Sequence, residues 1–376
     1  MDFNFNEEQR ILIDTARRFF EKETPKSLVR ELIHDTKGYS PPVWQKMGEL
    51  GWMGLAFDEE YDGYGGSFLE VAIIFEEMGR AAVPTPFFST VVLGGFLLQD
   101  SGSVELKQKY LSKIAGGRCI STLALVGKAG VYSKGEVSLE AKPVGDYYRL
   151  DGSAFFVPYA HMADNIICAA RTPSANGEGV TLFIVDGKAE GFEVIPLKTI
   201  SGEGIDCVVN LKGVKATPEQ IIGEPGKGWE CIERLWPKIA VALSCECVGG
   251  MKKVMELTIA HVNERVQFGK PLSALQVVQH MCAEMFIKSE TSRHAAYHAA
   301  WLISEGLPCE KEAAIAKAWC GEAFKDVTKI AHQLTGGIGF TEEFDLHLYT
   351  KNAKKLELLF GDGAFHRNMV ADRVGL

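Results

Sequence analysis

The chain has 376 residues, enough for two or three domains around a large core. Its formal net charge of -9 at pH 7 argues against nucleic-acid binding, and its longest apolar run, near residues 91–98, is too short to span a bilayer. The N-terminus lacks the basic and apolar segments of a signal peptide, so we predict a cytoplasmic protein. Nine cysteines without a CxxC pair favour buried thiols over disulfides.

The first 118 residues have the pattern of helices. Asn6, followed by two glutamates, is typical of a helix N-terminus. Pro41 and Pro42 suit the first turn of another helix, which we expect to run to about Leu50. Apolar spacing predicts two more helices, at residues 69–78 and 88–98.

From residue 119 to 227 the pattern changes to short runs rich in β-branched and aromatic residues, separated by turns. Regular short strands of this kind favour a small barrel or sandwich over βαβ units. The predicted strands cover residues 147–152, 165–170, 180–185, 192–196 and 207–211.

From residue 228 onwards the pattern is helical again, and short loops between long helices are typical of a four-helix bundle. The predicted helices cover residues 229–264, 272–305, 309–335 and 343–371. The chain is therefore predicted to be α+β, mostly α. We expect an N-terminal helical domain (1–118), a middle β-barrel or sandwich (119–227) and a C-terminal four-helix bundle (228–376).

Two motifs in the last third could bind a cofactor. Arg265 offers a planar fork of donors suited to pyrophosphate, and Phe268 could cover a heterocycle. Equally, these residues could be an exposed arginine and a core phenylalanine at a helix end. The glycine run from Gly336 to Gly339 could let a backbone approach phosphate oxygens, or could simply cap the preceding helix.

Metal binding is not predicted. His294 and His298 have a zinc-like i, i+4 spacing, but neither an acid nor a third ligand accompanies them. Cys245 and Cys247 lie two residues apart in an apolar helix, which places the thiols on different faces.

In this order, the segments 263–270, 332–340 and 360–367 resemble the flavin-binding half of the acyl-CoA dehydrogenase family. The resemblance extends over nearly the whole chain and implies FAD as cofactor. The residues that match FAD-contacting positions of the family are Phe156, Pro158, Arg265, Phe268, Gln276, Gln333, Gly336 and Gly337. Pro158 stands where the family usually has threonine, so both the hydroxyl and the amide donor near the flavin are missing.

The resemblance also implies a reaction. In the family, a flavin accepts a hydride from the β-carbon of an acyl-CoA thioester while a carboxylate removes the α-proton. Gly361 stands at the usual glutamate position, and Ile239 and Ala240 stand at the alternative one. Asp362 and Glu246 are the candidates for the missing base. Asp362 could instead cap a turn, and Glu246 could be a buried structural glutamate.

Three functions follow from the resemblance. The first is an acyl-CoA dehydrogenase that forms the 2,3-enoyl-CoA and passes electrons to an electron-transfer flavoprotein. The second is a catalytically weak subunit that completes the FAD site of a homologous, base-bearing partner. The third is a related flavoprotein, such as an oxidase or desulfinase. The family's shared FAD site implies a dimer or tetramer, either of identical chains or as a hetero-oligomer.

Overall fold

The computed structural model describes residues 5–174, 177–200 and 202–376. Their contacts divide the chain into two compact units. The bundle unit contains residues 1–30, 68–83 and 240–376, and the sheet unit contains residues 31–67 and 84–239. The predicted three-domain boundaries differ from this division by contacts and stay a prediction.

Long helices build the bundle unit: α1 (Glu7–Glu23), α4 (Phe68–Ala81), α7 (Gly228–Glu264, which crosses the unit boundary), α8 (Gln276–Ser304), α9 (Glu310–Thr335), α10 (Leu346–Leu358) and α11 (Gly363–Val374). Among them, α9 lies at the centre, packed against α8, α10 and α11. The predicted cap of α1 is confirmed, because the Asn6 side chain accepts from the Gln9 amide at 2.8 Å and Gln9 returns a bond to Asn6.

Two glycines let α4 and α7 cross at backbone distance. A Cβ at Gly249 would lie 2.7 Å from the carbonyl carbon of Glu76 and would overlap its oxygen. A Cβ at Gly79 would overlap the carbonyl oxygen of Glu246 in the same way. Because backbone atoms cannot swing aside, both positions require glycine. The crossing fixes Glu246 against α4.

The prediction of one helix over residues 343–371 is wrong. The segment forms α10 and α11, with a break over residues 359–362. The break has a local cause: Leu359 leaves the helix with ψ 127°, and both Phe360 and Gly361 have positive φ values, 55° and 98°. A positive φ at two successive residues cannot continue a right-handed helix.

The sheet unit contains one mixed, mostly antiparallel sheet of eight strands among the described residues. The strands are β1 (Ser121–Ala124), β2 (Leu139–Val144), β3 (Tyr147–Pro158), β4 (Asn165–Ser174), β5 (Gly177–Asp186), β6 (Phe192–Thr199), β7 (Gly202–Ala216) and β8 (Ile221–Ile222). Their order in the sheet is β6-β7-β3-β2-β4-β5-β8, and β1 pairs with β4 in parallel. Every predicted strand is present, though longer than expected.

Short helices complete the sheet unit. The helix predicted from Pro41 is α3, and the one predicted over residues 88–98 is a π-helix, Phe88–Phe96, followed by α5. The helices are α2 (Lys26–His34, which crosses the unit boundary), α3 (Pro41–Glu49), α5 (Leu97–Ser101) and α6 (Val104–Ala115). All nine cysteines are thiols, and seven of them are buried. Of the helices in the described part of the chain, none is long and apolar enough to cross a membrane. The predicted fold class is confirmed.

Candidate active site

Phe268 lies in a strained turn at the end of α7. The strands β9 (Val266–Gln267) and β10 (Lys270–Pro271) form a hairpin whose two loop residues, Phe268 and Gly269, have φ values of 54° and 77°. Such a turn is usually made by Asn-Gly, because a bulky residue is costly at positive φ. The ring is nonetheless 87% exposed. An exposed aromatic side chain held in a costly backbone conformation is typical of a ligand or partner contact.

The glycine run follows α9 as a 3-10 turn, Gly336–Phe340. No atom lies within 4 Å of a Cβ added at Gly336 or Gly337, and Gln333 is exposed beside them. Packing therefore does not explain these glycines, although Gly336 has φ 63° and ends the helix. An open backbone of this kind can receive phosphate oxygens.

A histidine that the sequence analysis missed supports this turn. The His332 ring stacks on Phe340 with a centroid distance of 4.5 Å, and its Nε2 lies 2.8 Å from Thr350 Oγ1. The Thr350 hydroxyl donates to Leu346 O, so Nε2 is the donor to Thr350. Burial, with the nearby His347, lowers the pKa of His332. The position of His332 directly before Gln333 is the sequence feature that could have identified it.

In the sheet unit, Phe156 lies in a bulge of β3. The register with β7 shifts between Ala154 and Val157, and Phe156 has φ 55° with a half-exposed ring. Bulges commonly redirect a side chain beside a functional site. Pro158 ends the strand, and its carbonyl accepts from Thr122 Oγ1 at 2.7 Å. Arg265 and Gln276, in the bundle unit, are both exposed.

The segment at the family's base position is held by two buried side chains. Lys317 Nζ donates to the carbonyls of Gly361 and Glu357 at 2.9 and 3.2 Å. Burial lowers the pKa of Lys317 to about 8. His366 Nε2 donates to Phe360 O at 3.0 Å, and burial together with the Lys317 charge lowers the pKa of His366 to about 4. Sequence reasoning missed both, although a lysine inside an alanine-rich helical run is a usable signal.

The two candidate bases have different surroundings. Asp362 is the N-cap of α11: its exposed carboxylate accepts from the Phe365 amide at 2.9 Å. Glu246 is partly buried in α7 and accepts from Asn352 Nδ2 at 3.3 Å. Burial raises the pKa of Glu246, and the positive charge of Lys355 only partly opposes this.

Two further carboxylates near this segment are ion-paired. Glu357 contacts Lys325 and Lys354 at 2.6 and 2.8 Å. Burial raises the pKa of Glu357, but the two lysines together lower it by more, so the pKa lies below its ordinary value. Glu322 contacts Arg367 at 2.6 Å. Ion-paired carboxylates are weaker bases than unpaired buried ones. In the parts of the chain described above, no three His, Cys, Asp or Glu residues cluster closely enough to hold a metal ion.

Comparisons with known proteins agree on one family. The model of the acyl-CoA dehydrogenase N-terminal domain matches residues 6–118, and that of the acyl-CoA dehydrogenase C-terminal domain matches residues 226–375. The chain is 29% identical to a short-chain specific acyl-CoA dehydrogenase of Clostridium acetobutylicum, over 100% of both chains. It is 27% identical to subunit CarC of the caffeyl-CoA reductase-Etf complex of Acetobacterium woodii, over 98% of both.

A solved structure extends the comparison to assemblies. A chain of the ChsE4-ChsE5 complex from Mycobacterium tuberculosis superposes with a TM-score of 0.89 at 25% identity. The match covers 100% of this chain and 99% of that one. The similarity therefore includes the sheet segment between the two matched domain models.

Proposed function

Because the chain belongs to the acyl-CoA dehydrogenase family, we propose that it oxidises an acyl-CoA thioester to the 2,3-enoyl-CoA with FAD as cofactor. The observation that carries the proposal is the agreement between the family similarity and two features of the structure, the exposed, strained Phe268 and the open backbone at Gly336 and Gly337. When bound, FAD supplies the acceptor for the hydride of the substrate β-carbon. The chain's own residues bind and orient the reactants.

Two groups of residues would hold FAD, and the bundle group of one chain would complete the site of a neighbouring chain. In the bundle unit, Arg265 would pair with phosphate oxygens, Phe268 would cover a ring, and Gln276 would supply a polar contact. Gln333 and the open backbone at Gly336 and Gly337 would approach the pyrophosphate. In the sheet unit, Phe156 and Pro158 would line the flavin, and Pro158 offers no amide donor there.

Flavin absorbance of the purified protein tests this assignment. We expect a yellow protein, or one that becomes yellow on addition of FAD. Arg265→Ala should weaken FAD binding about 10-fold or more, because a charged hydrogen bond to phosphate is lost. The matched control is Arg10→Ala, which removes another exposed arginine of the bundle unit. A colourless protein that takes up no FAD would refute the proposal, and equal affinity in both variants would remove Arg265 from the site.

Asp362 and Glu246 are the base candidates within this chain. Asp362 is next to the empty glutamate position, but its carboxylate would have to leave the α11 cap, at a cost of about 1 kcal/mol. Burial raises the pKa of Glu246, which makes it a stronger base than an exposed carboxylate. The partner of Glu246, Asn352, lies about 9 Å along α10 from Leu358, the last residue of that helix, given 1.5 Å per residue. This distance from the segment that carries Gly361 counts against Glu246 as the base.

Amide substitutions separate the two candidates. Asp362→Asn keeps a capping side chain and Glu246→Gln keeps the bond partner, so each removes a charge with little change of shape. Flavin reduction by an acyl-CoA is then followed in a single turnover without oxygen. A loss of about 100-fold or more with FAD still bound identifies the base. Normal reduction in both variants excludes both residues.

A second function, a subunit that completes the FAD site of a base-bearing partner, is favoured by Gly361, which offers no carboxylate. Similarity to a chain of the ChsE4-ChsE5 complex supports such a hetero-oligomer. Co-purification of a stoichiometric homologous chain, with an inactive isolated chain, would support it. A homo-oligomer that reduces its flavin on its own would contradict it.

The electron acceptor and the location belong to the same proposal. Similarity to the CarC subunit of an Etf complex supports an electron-transfer flavoprotein as acceptor. Nine thiols support a reducing compartment, the cytoplasm. Reoxidation of the reduced protein by an electron-transfer flavoprotein, rather than by oxygen, tests the acceptor. Rapid oxygen consumption would instead indicate a related flavoprotein oxidase.

A further inference from the structure

The space beside Gly361 is filled by an aromatic ring. A Cβ added at this residue would lie 2.8 Å from Cγ and 2.9 Å from Cε1 of Phe365, and would overlap Cδ1. Real Cβ atoms do not approach other carbons this closely. Because Cγ is bonded directly to the Phe365 Cβ, rotation at the far end of the ring cannot relieve the overlap.

Both sides of this contact are fixed. The Phe365 amide is bonded to the Asp362 carboxylate at 2.9 Å, which places Phe365 in the first turn of α11. Its ring packs edge-on against His366 with a centroid distance of 5.2 Å. On the other side, buried Lys317 holds the Gly361 carbonyl at 2.9 Å. The backbone at residue 361 cannot shift without disturbing the bond to Lys317, and the ring can leave Gly361 only by rotating about χ1 and giving up its packing against His366.

We propose that Phe365 closes the family's base position in this chain, so that a carboxylate cannot be restored at residue 361 alone. This inference rests on the proposed function. A side chain at residue 361 needs room that the ring takes, and shortening residue 365 opens that room. The carboxylate that removes the α-proton must then come from another position of this chain or from a partner chain.

Positive φ at Gly361 is a separate obstacle to any side chain and has its own control. Gly361 has φ 98°, whereas Gly306 has φ 64° with no atom within 4 Å of an added Cβ. Gly306→Ala therefore measures backbone strain without overlap. If strain alone explained the glycine at 361, Gly361→Ala would cost the same with or without the Phe365 ring, and Phe365 would be irrelevant to that cost.

A double-mutant cycle on thermal stability tests the contact without reference to activity. The proteins are wild type, Gly361→Ala, Phe365→Ala and the double variant, all at one FAD concentration. We expect Gly361→Ala to lower the melting temperature by several degrees in the wild type, and by clearly less in the Phe365→Ala background. An equal loss in both backgrounds overturns the inference.

Flavin reduction tests the consequence for the base. Gly361→Glu and Gly361→Glu/Phe365→Ala are compared with the same acyl-CoA in a single turnover. We expect the double variant to reduce its flavin at least about 10-fold faster than the single one. A single variant as fast as the double one overturns the inference. The two proposals fail separately, because a chain that binds no FAD refutes the proposed function while the stability cycle still decides the role of Phe365.

Discussion

His366 should make the stability of the protein fall in mild acid. The imidazole is fully buried, and its Nε2 donates to Phe360 O, so this nitrogen carries the proton of the neutral ring. Nδ1 is buried and has no hydrogen-bond partner among the described residues. Adding a proton there buries an unpaired charge close to Lys317. Burial and this neighbour lower the pKa of His366 from 6.5 to about 4.

The size of the effect follows from the two pKa values. The folded protein binds the proton less tightly than the unfolded chain, so its stability from this group is present above pH 6.5 and is lost as the pH falls towards 4. The full loss is about 3 kcal/mol, of which about 2 kcal/mol falls between pH 7 and pH 5. Lys317, whose pKa is about 8, stays protonated in both states across this window and contributes little.

Urea unfolding at pH 7 and pH 5 measures the loss, with protein and FAD concentrations held fixed. His366→Gln keeps a donor for Phe360 O but cannot be protonated, so its stability should depend less on pH by about 2 kcal/mol. The control is His34→Gln, which replaces an exposed histidine at the end of α2. If wild type and His366→Gln lose the same stability between the two pH values, the account of His366 is wrong.

Three further predictions follow from the packing and the turns. Gly79→Ala should lower the free energy of unfolding, measured in urea, by about 2–3 kcal/mol, because the added methyl meets the backbone of Glu246. A loss below about 1 kcal/mol would contradict this. Phe268→Asn should stabilise the FAD-free protein by about 1 kcal/mol while weakening FAD binding, and unchanged FAD affinity would remove Phe268 from the site. His332→Leu should weaken FAD binding in equilibrium titrations, because the stacking on Phe340 is lost. His332→Phe can still stack on Phe340 and should keep most of the FAD affinity. Equal affinities in both variants would exclude the stacking role.

The sequence predicted the start of a helix correctly where the residues that determine it lie within one turn of that start. The cap at Asn6 and the prolines at 41 and 42 set helix starts through contacts within one turn, and both were found. The break between α10 and α11 was missed, because a positive φ at Phe360 depends on contacts made from α9 and α11. Helix propensity depends on the local sequence and therefore does not predict such contacts.

The residues of the candidate site also fall into two groups, those that the sequence identified and those that it did not. The family resemblance identified Arg265 and the glycine run, and their FAD contacts stay predictions. Lys317 and Phe365 were not identified, because their roles depend on which backbone carbonyl or glycine lies next to them in space. The empty base position was visible in the sequence as Gly361. The reason it cannot simply be refilled was not visible.

The features of the 357–366 segment form one connected structure. Lys317 bonds the Gly361 carbonyl, His366 bonds the Phe360 carbonyl, and Asp362 caps the helix that carries Phe365. Each supports a conformation that would be costly alone, since Phe360 is a non-glycine residue at positive φ and Lys317 is a buried cation. The ring against Gly361 is thus the outcome of several mutually supporting contacts rather than of a single exchange of glutamate for glycine. A chain built in this way should accept a carboxylate at residue 361 only if the ring at residue 365 is shortened as well.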